Sequence, residues 1–418
     1  MLGALLIPLA LVVGLAPPAQ ADSIRAQQWY LDGWKIDDVW KTTRGAGVTV
    51  AVVDTGVDAT HPDLVGQIQP SLNTPGDLDG HGTGMASLIA GQGKSGNGQG
   101  AYGVAPDAKI LPFRSAKGLI NGVDPNSVAV GIRLAADSSA RIINLSLGGS
   151  ANEIAEREAV AYALGKGKLV IAAGGNTPDA KNGVPAYPAS YPGVLAVSAV
   201  NREGSPASNS VQGPWISLSA PGEDLPHACT TATRYCLGVG SSGAAALTSG
   251  VAALVWSVHP DWTANQVIRR LIDTANRPTE PVPSDTFGYG AVSPRKALAA
   301  TDTPGPADVN PLVGVRGDKP SAPPTTGASS DPSPATAPPA TTAPPVAVAG
   351  KSDDGDSLLV PILIGTAVVV ALGAGAVVVT MRRRRARELA ARQQAAVPPW
   401  PTVPPTYHPP GGGPYDRR

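Results

Sequence analysis

Short apolar runs rich in β-branched residues alternate along the chain with longer segments in which apolar residues recur at helical spacing. The short runs are typical of buried strands, because they are nearly continuously apolar rather than apolar at every second position. We predict strands over residues 48–53, 109–113, 141–145, 169–173 and 194–200.

Helix signals lie between these runs. Asp124 followed by Pro125 provides an N-cap and a first-turn proline, and apolar residues then recur on one face. Residues 151–164 repeat the helical pattern, and Thr263 with Gln266 forms a capping box before a further apolar segment. Because strand and helix patterns alternate, the sequence predicts an α/β fold, with a mostly parallel central sheet covered by helices on both faces.

Composition divides the 418 residues unevenly. Residues 22–300 mix apolar runs, helical patterns and Gly/Pro turns, as expected for a globular domain. Residues 301–356 are rich in Pro, Thr and Ala and poor in large apolar side chains, so they predict an extended, disordered linker.

The N-terminus carries an export signal. An apolar run over residues 5–15 precedes Ala19 and Ala21, which form a small-x-small cleavage site. Residues 1–21 are therefore predicted to be a signal peptide that is removed after Ala21.

A second membrane signal lies near the C-terminus. The uncharged run 358–380 is long enough to cross a bilayer and predicts a transmembrane helix over residues 357–381. Aspartates precede this run and five arginines follow it within residues 382–387, which argues against a buried core helix. By the positive-inside rule, the basic, Pro-rich tail 382–418 is cytoplasmic, and the large N-terminal domain lies outside the cell membrane.

Charge adds little else. A basic run is also typical of nucleic-acid binding, but its position directly after the predicted span favours the membrane interpretation. The formal net charge of the chain is +0, so we expect no nucleic-acid partner.

The two cysteines, Cys229 and Cys236, lie close together in a loop of the exported domain. A disulfide between them is the favoured interpretation, because the compartment is oxidising and the chain has no other cysteine for a metal site. Two free thiols remain the alternative.

Three short motifs carry residues suited to acyl transfer. Asp54 ends the first predicted strand, His81 stands between two glycines, and Ser241 and Ser242 precede an apolar helical segment. Of the five histidines, only His81 combines flanking glycines with a helix-like run after it. A serine hydroxyl needs an adjacent base, and the base needs a partner that holds its tautomer, so these residues together predict nucleophilic catalysis.

The order Asp, His, Ser and these motifs resemble the subtilisin family. In that family one glycine stands two positions before the nucleophile and another stands eight positions after it. Ser242 meets both conditions through Gly240 and Gly250, whereas Ser241 meets neither. The resemblance implies a three-layer subtilisin-like fold and a serine endopeptidase that acts on proteins or peptides, with Ser242 as nucleophile, His81 as general base and Asp54 orienting His81.

The same resemblance implies further site residues. Asn176 follows a strand and two glycines, as the family's oxyanion asparagine does, and would donate to the anion together with the Ser242 N–H. An edge segment of Ser146, Leu147 and Gly148 would pair with an extended substrate, and Ala186 would form the floor of a modest apolar pocket. The loop over residues 91–100 often holds calcium in the family, but here it contains Lys94 and no carboxylate, so we expect no metal and no cofactor.

The chain resembles the mycosins, membrane-anchored proteases of type VII secretion. The resemblance lies in the short distance from the cleavage site to the domain and in the linker, the membrane span and the basic tail. That resemblance implies the type VII secretion membrane complex as a partner. The chain departs from the subtilisin pattern at Gly243, where a methionine is usual, and at Gly84, where a histidine is frequent. Slow turnover is therefore expected, and the alternatives are an inactive protease-like scaffold that stabilises a secretion complex and a general cell-surface subtilase.

Overall fold

The computed structural model describes residues 23–71, 76–115, 124–176 and 184–314, and within them the apolar runs form a six-stranded parallel sheet. Its order is β2-β1-β3-β4-β5-β6, and every neighbouring pair is parallel. The α/β class with a parallel central sheet is thereby confirmed. The strands are β1 Thr49–Asp54, β2 Lys109–Arg114, β3 Ile142–Leu145, β4 Leu169–Ala173, β5 Leu195–Val200 and β6 Ile216–Pro221.

Alternate residues of strands β1 to β5 pack into two separate apolar cores, one on each face of the sheet. In β1, Val50 and Val52 enter one core, whereas Ala51 and Val53 enter the other. Both faces are thus buried, which explains why the strand sequences are nearly continuously apolar. The pattern does not predict β6, because Ser217 and Ser219 interrupt its apolar residues although both are buried.

Helices cover both faces and complete three layers. The first core contains α4 and α7, and the second contains α5 and α6. Short helices at the two ends of the domain pack against the first core. The helices are α1 Ile24–Gln27, α2 Trp29–Gly33, α3 Ile36–Trp40, α4 His81–Ala90, α5 Pro125–Asp137, α6 Ile154–Gly165, α7 Ser241–Val258, α8 Ala264–Asp273 and α9 Pro294–Ala299.

The capping signals act where the sequence predicts them. The Asp124 side chain accepts a hydrogen bond from the Asn126 N–H at 3.1 Å, with Pro125 in the first turn of α5. At the start of α8, Thr263 and Gln266 form the reciprocal capping box. Such caps satisfy N–H groups that have no partner within the helix, and so they fix where each helix begins.

Among the described residues, α7 is the one helix with the length and hydropathy of a membrane span, and 83% of its 18 residues are buried inside the domain. It is the central helix of the first core and packs on α4 and on β3 to β6. The predicted signal peptide (1–21), the predicted span (357–381) and the predicted tail (382–418) lie outside the described residues.

An antiparallel hairpin, β7 (Leu225–Ala228) with β8 (Tyr235–Gly238), precedes α7. A disulfide joins Cys229 to Cys236 across the hairpin. The far end of the hairpin is held by a 3.2 Å ion pair between Arg234 and Asp58 and by the Tyr235 hydroxyl, which donates to Asp63 at 2.8 Å. The loop before α7 is therefore anchored to the turn that follows β1.

The beginning of the predicted linker packs on the domain. Asn310 donates to the Gly193 carbonyl at 3.2 Å, and Thr263 donates to the Ala307 carbonyl at 2.9 Å. The buried Arg270 side chain contacts Asp302. These contacts extend the packed chain beyond the predicted boundary at residue 300, because Leu312 supplies an apolar anchor that the surrounding Pro-rich composition hides.

Candidate active site

Asp54 and His81 meet at the carboxyl end of the sheet, where sites gather in folds of this kind. Asp54 is the last residue of β1, His81 is the first residue of α4, and the Asp54 side chain is 0% exposed. His81 Nδ1 lies 2.8 Å from Asp54 Oδ1, which also accepts the Thr55 N–H at 2.8 Å. Because a carboxylate only accepts, Nδ1 carries the proton and Nε2 presents a lone pair to the cleft.

The electrostatics suit His81 to a general-base role. Burial, the largest single effect, lowers the pKa of His81, but the charge and hydrogen bond of the Asp54 carboxylate, together with nearby acids, hold that pKa above its ordinary value. Asp79 and Asp77 act in the same direction. A raised pKa makes the imidazole a stronger proton acceptor, while Asp54 stabilises the cation that forms.

Asp77 is a supporting residue that the sequence motifs do not single out. Its two carboxylate oxygens accept from the Thr55 hydroxyl at 2.7 Å and from the Thr83 N–H at 2.8 Å. The Thr55 hydroxyl in turn accepts the Gly82 N–H at 3.0 Å. The end of β1 and the first turn of α4 are thereby locked together, which fixes the distance between Asp54 and His81. Its place shortly before the Asp79-Gly80-His81 motif is the signal that could have found it.

Ser242 lies in the first turn of α7, and a cavity that His81 also borders reaches it. Its hydroxyl donates to the Ser146 carbonyl at 2.9 Å, and the Ser146 hydroxyl donates to the Ser242 carbonyl at 2.8 Å. Among the described residues the Ser242 hydroxyl has no hydrogen bond to His81.

Ser241 is placed differently from Ser242. Its side chain is fully buried, and its Oγ accepts the Gly175 N–H at 3.1 Å. Ser241 thus ties the start of α7 to the turn after β4. The structure brings Ser242, and not Ser241, to the cleft that His81 borders.

Asn176 follows that turn, and its orientation is fixed by a backbone donor. The Ser241 N–H donates to Asn176 Oδ1 at 2.8 Å, so the amide nitrogen is the side-chain atom left to donate. The Ser242 N–H lies in the first turn of α7, where N–H groups lack partners within the helix. Asn176 and the Ser242 N–H therefore present two donors beside the Ser242 hydroxyl.

Gly240 makes this arrangement sterically feasible. Its φ of 132° lies in a region that side chains disfavour, and a Cβ there would lie 2.8 Å from Asn176 Nδ2. The glycine two positions before Ser242 is thus explained by the room that Asn176 requires.

A cavity of about 330 Å³ adjoins Ser242 on the side of the edge segment 146–148. Ser146, Leu147 and Gly148 border it together with Ala186. Gly149 and Tyr187 exchange backbone hydrogen bonds of 2.9 and 2.8 Å, which hold the two sides of the cavity together. We call this space the Ala186 cavity.

Large side chains of β7 occupy the space beside Gly243 and Gly84, the two positions at which the chain departs from the subtilisin pattern. A Cβ at Gly243 would lie 2.4 Å from Leu225 Cδ1, and a Cβ at Gly84 would lie 2.5 Å from His227 Cδ2. His227 Nδ1 donates to the Leu225 carbonyl at 2.8 Å, and burial lowers the pKa of His227 to about 4, so its ring is neutral near pH 7. The sequence gives no local signal for this packing, because the partners are far apart in the chain.

Comparison with known proteins shows which family and which proteins this chain is similar to. The model of the subtilase family (Peptidase S8) matches residues 45–290. The thermophilic serine proteinase of Bacillus sp. (strain AK1) is 39% identical over 228 residues, which span 53% of this chain and 55% of that protein. Mycosin-4 of Mycobacterium tuberculosis (strain ATCC 25618 / H37Rv) is 34% identical over 319 residues, which span 64% of this chain and 68% of that protein.

A solved structure is similar in fold. The MycP3 protease from the type VII (ESX-3) secretion system superposes with a TM-score of 0.55 at 32% identity. The superposition covers 68% of this chain and 90% of that chain. This chain thus spans most of the MycP3 structure but only about half the length of the Bacillus relative.

Proposed function

Because the chain belongs to the subtilase family of serine endopeptidases, we propose that Asp54, His81 and Ser242 are its catalytic triad. The observation that carries the proposal is the 2.8 Å hydrogen bond from His81 to the buried Asp54, beside a cleft that also exposes Ser242. This bond leaves Nε2 of His81 free to take a proton from a serine hydroxyl.

The reaction begins when the Ser242 hydroxyl turns from the Ser146 carbonyl to His81. His81 Nε2 takes the hydroxyl proton while Oγ attacks the carbonyl carbon of the scissile bond. The carbonyl oxygen becomes an anion, to which Asn176 Nδ2 and the Ser242 N–H donate. Asp54 keeps its negative charge throughout and stabilises the imidazolium of His81.

The tetrahedral intermediate then collapses. The C–N bond breaks, His81 gives its proton to the leaving amine, and an ester to Ser242 Oγ remains. Water, deprotonated by His81, attacks this ester, the bond to Ser242 Oγ breaks, and His81 returns the proton to that oxygen as the acid leaves. The edge segment 146–148 pairs with the extended substrate, and the Ala186 cavity receives the side chain before the scissile bond.

The cellular setting that we propose is the outer face of the cell membrane. The predicted signal peptide, span and basic tail support a domain that is anchored from its C-terminal side, through a linker within residues 315–356. Similarity to mycosin-4 and to a protease of a type VII secretion system supports association with such a system. The proposed enzyme is therefore a membrane-anchored, mycosin-like endopeptidase.

An active-site phosphonate probe tests the triad. The full-length chain, solubilised from membranes in detergent, is expected to be labelled at Ser242, and Ser242→Ala is expected to abolish labelling. Ser241→Ala is the matched control, since the adjacent hydroxyl should not react. Labelling that persists in Ser242→Ala would refute the assignment of the nucleophile.

A non-catalytic scaffold is the second candidate function. One observation favours it, namely that the Ser242 hydroxyl donates to the Ser146 carbonyl rather than to His81. A scaffold predicts no labelling by the phosphonate and no peptide cleavage, but an intact secretion complex when Ser242→Ala replaces the wild type in cells. Cleavage that disappears in Asn176→Ala would reject the scaffold.

A further inference from the structure

A second cavity, of about 400 Å³, also reaches Ser242. It shares Ser242 and Asn176 with the Ala186 cavity, but His81 borders it and the edge segment 146–148 does not. We call it the hairpin cavity, because β7, β8 and the residues after β8 form much of its wall. It is larger than the Ala186 cavity.

The chemistry of peptide hydrolysis fixes which part of a substrate passes this cavity. His81 must give its proton to the leaving amine, so the residue after the scissile bond passes beside His81. The side chain before the scissile bond lies on the other side of Ser242, next to the edge segment 146–148. The hairpin cavity is therefore positioned to receive the side chain of the residue after the scissile bond.

The wall of the hairpin cavity is mainly apolar. Because residue 243 is glycine, no side chain from it enters the space, and Leu225 packs directly against the backbone there. His227 is neutral near pH 7 and contributes no charge, so Asp79 and the general base His81 are the ionisable groups of the wall that remain. The apolar lining residues are Met85, Leu88, Leu225, Leu237 and Val239.

Two of these apolar residues are exposed to solvent. Leu237 is 52% exposed and Val239 is 57% exposed, and both stand at the mouth of the cavity. Val184, at 52% exposed, stands in the same way beside the Ala186 cavity. Large apolar side chains exposed around a concave site indicate a surface that an apolar group covers on binding.

We propose that the hairpin cavity selects substrates by the residue after the scissile bond and favours large apolar side chains such as Leu or Phe. Leu237 is its main specificity-determining residue, since it lies at the mouth and its side chain is free to contact an entering group. This inference rests on the proposed function, because it requires the acyl-enzyme at Ser242.

Partition of the acyl-enzyme between amines tests the proposal directly. A peptide ester first acylates Ser242 Oγ and releases its alcohol. An added amino-acid amide then attacks the ester carbonyl with its free amine, a peptide bond forms, and the Ser242 hydroxyl is regenerated. Because the amine enters where the leaving amine departs, its side chain reports on the hairpin cavity alone.

With the full-length chain in detergent, leucinamide should be incorporated at least about tenfold more efficiently than glycinamide, a discrimination within the range of apolar pockets. Leu237→Glu should reduce this ratio severalfold. It should also raise incorporation of argininamide relative to glycinamide by about threefold, as an exposed ion pair does. The readout is a ratio within one acyl-enzyme, so a slower variant does not distort it.

Val184→Glu is the matched control, because it adds the same charge beside the Ala186 cavity and should leave the amine ratios unchanged. Val130→Glu, on the exposed face of α5 (56% exposed), controls for the charge itself.

Equal incorporation of leucinamide and glycinamide by an active wild type would overturn this inference alone. Unchanged ratios in Leu237→Glu, or shifted ratios in Val184→Glu, would also overturn it. Absence of both turnover and phosphonate labelling would overturn the proposed function as well.

Discussion

Asp54 presents two unequal oxygens to its surroundings. Oδ1 accepts hydrogen bonds from His81 Nδ1 and from the Thr55 N–H, both at 2.8 Å. Oδ2 is buried and has no hydrogen-bond partner among the described residues. Asp54 therefore holds the imidazole of His81 through a single oxygen atom, which the backbone of Thr55 keeps in place.

Asp54→Asn is expected to separate the charge of this residue from its hydrogen bonding. The asparagine oxygen should occupy the Oδ1 position, because the Thr55 N–H requires an acceptor there, and the amide nitrogen should occupy the Oδ2 position. His81 then keeps its tautomer but loses the carboxylate charge. We expect kcat to fall by ~10²- to 10³-fold, the size typical of losing one electrostatic contribution to the transition state.

A loss of about 10⁴-fold or more would contradict this reasoning, since that size accompanies a wrong histidine tautomer in a serine-protease triad. Steady-state kinetics on a peptide ester provide the measurement. Asp107→Asn is the control, because its carboxylate pairs with Arg44 at 3.4 Å outside the cleft.

The pH dependence of hydrolysis should reveal the raised pKa of His81. His81 must be neutral to accept the Ser242 proton, so kcat/KM falls as the pH falls through the His81 pKa. Because Asp54, Asp79 and Asp77 hold that pKa above its ordinary value, the midpoint of the acid limb should lie above about pH 6.5. In Asp54→Asn the midpoint should move to lower pH, and an unchanged midpoint would show that Asp54 does not set it.

Much of this cleft could be predicted from local sequence signals. Asp54 and His81 stand at ends of elements that the apolar pattern predicts, and the capping signals of α5 and α8 are local as well. Parallel strands bring their carboxyl ends to one edge of the sheet, so the motifs after β1 and β4 meet there. The parallel pairing of β1 to β4 follows from the alternation of strands and helices, whereas among the described residues no helix lies between β5 and β6.

The hairpin cavity could not be predicted in the same way. From the sequence alone, Gly84 and Gly243 indicate a weakened active site, because each replaces a larger residue of the subtilisin pattern. In the structure, Leu225 and His227 fill the space that side chains at these positions would need. These pairs are distant in the chain and have no common motif. Strands β7 and β8 are also short and contain Pro226 and Gly238, which weaken strand propensity.

His227 should make stability depend on pH. Its folded-state pKa is lowered to about 4, so the folded protein binds fewer protons than the unfolded chain between about pH 6.5 and pH 4. The contribution of neutral His227 to the free energy of unfolding is complete above about pH 6.5. It is lost as the pH falls through this window, by about 3 kcal/mol in total. Urea unfolding across this range measures it.

His227→Asn is the informative variant, because its amide can still donate to the Leu225 carbonyl but does not titrate. The difference in unfolding free energy between wild type and variant should shrink as the pH falls from about 6.5 to 4. A difference that stays constant with pH would mean that His227 does not titrate in this window.

The disulfide should stabilise the hairpin and preserve selectivity. A short closed loop such as that between Cys229 and Cys236 restricts the unfolded chain by about 2–3 kcal/mol. The double variant Cys229→Ala/Cys236→Ala should therefore unfold at a Tm lower by about 5 °C. It should also show a smaller preference for leucinamide, because the anchored wall of the hairpin cavity loosens. Equal Tm values would refute the stabilising role.

Gly240→Ala should act on catalysis through Asn176. An alanine Cβ would lie 2.8 Å from Asn176 Nδ2, and the φ of 132° costs about 1–3 kcal/mol for a residue with a side chain. We expect kcat to fall by ~10²- to 10³-fold, as in Asn176→Ala, because the same donor is displaced. The double variant Gly240→Ala/Asn176→Ala should be no slower than Asn176→Ala, since a group that is already absent cannot be displaced.

Gly167→Ala is the matched control for a positive φ. Gly167 has a φ of 74° but open space around it, so its substitution should lower stability slightly and leave kcat unchanged. Losses that multiply in the double variant would show that Gly240 acts on Ser242 independently of Asn176.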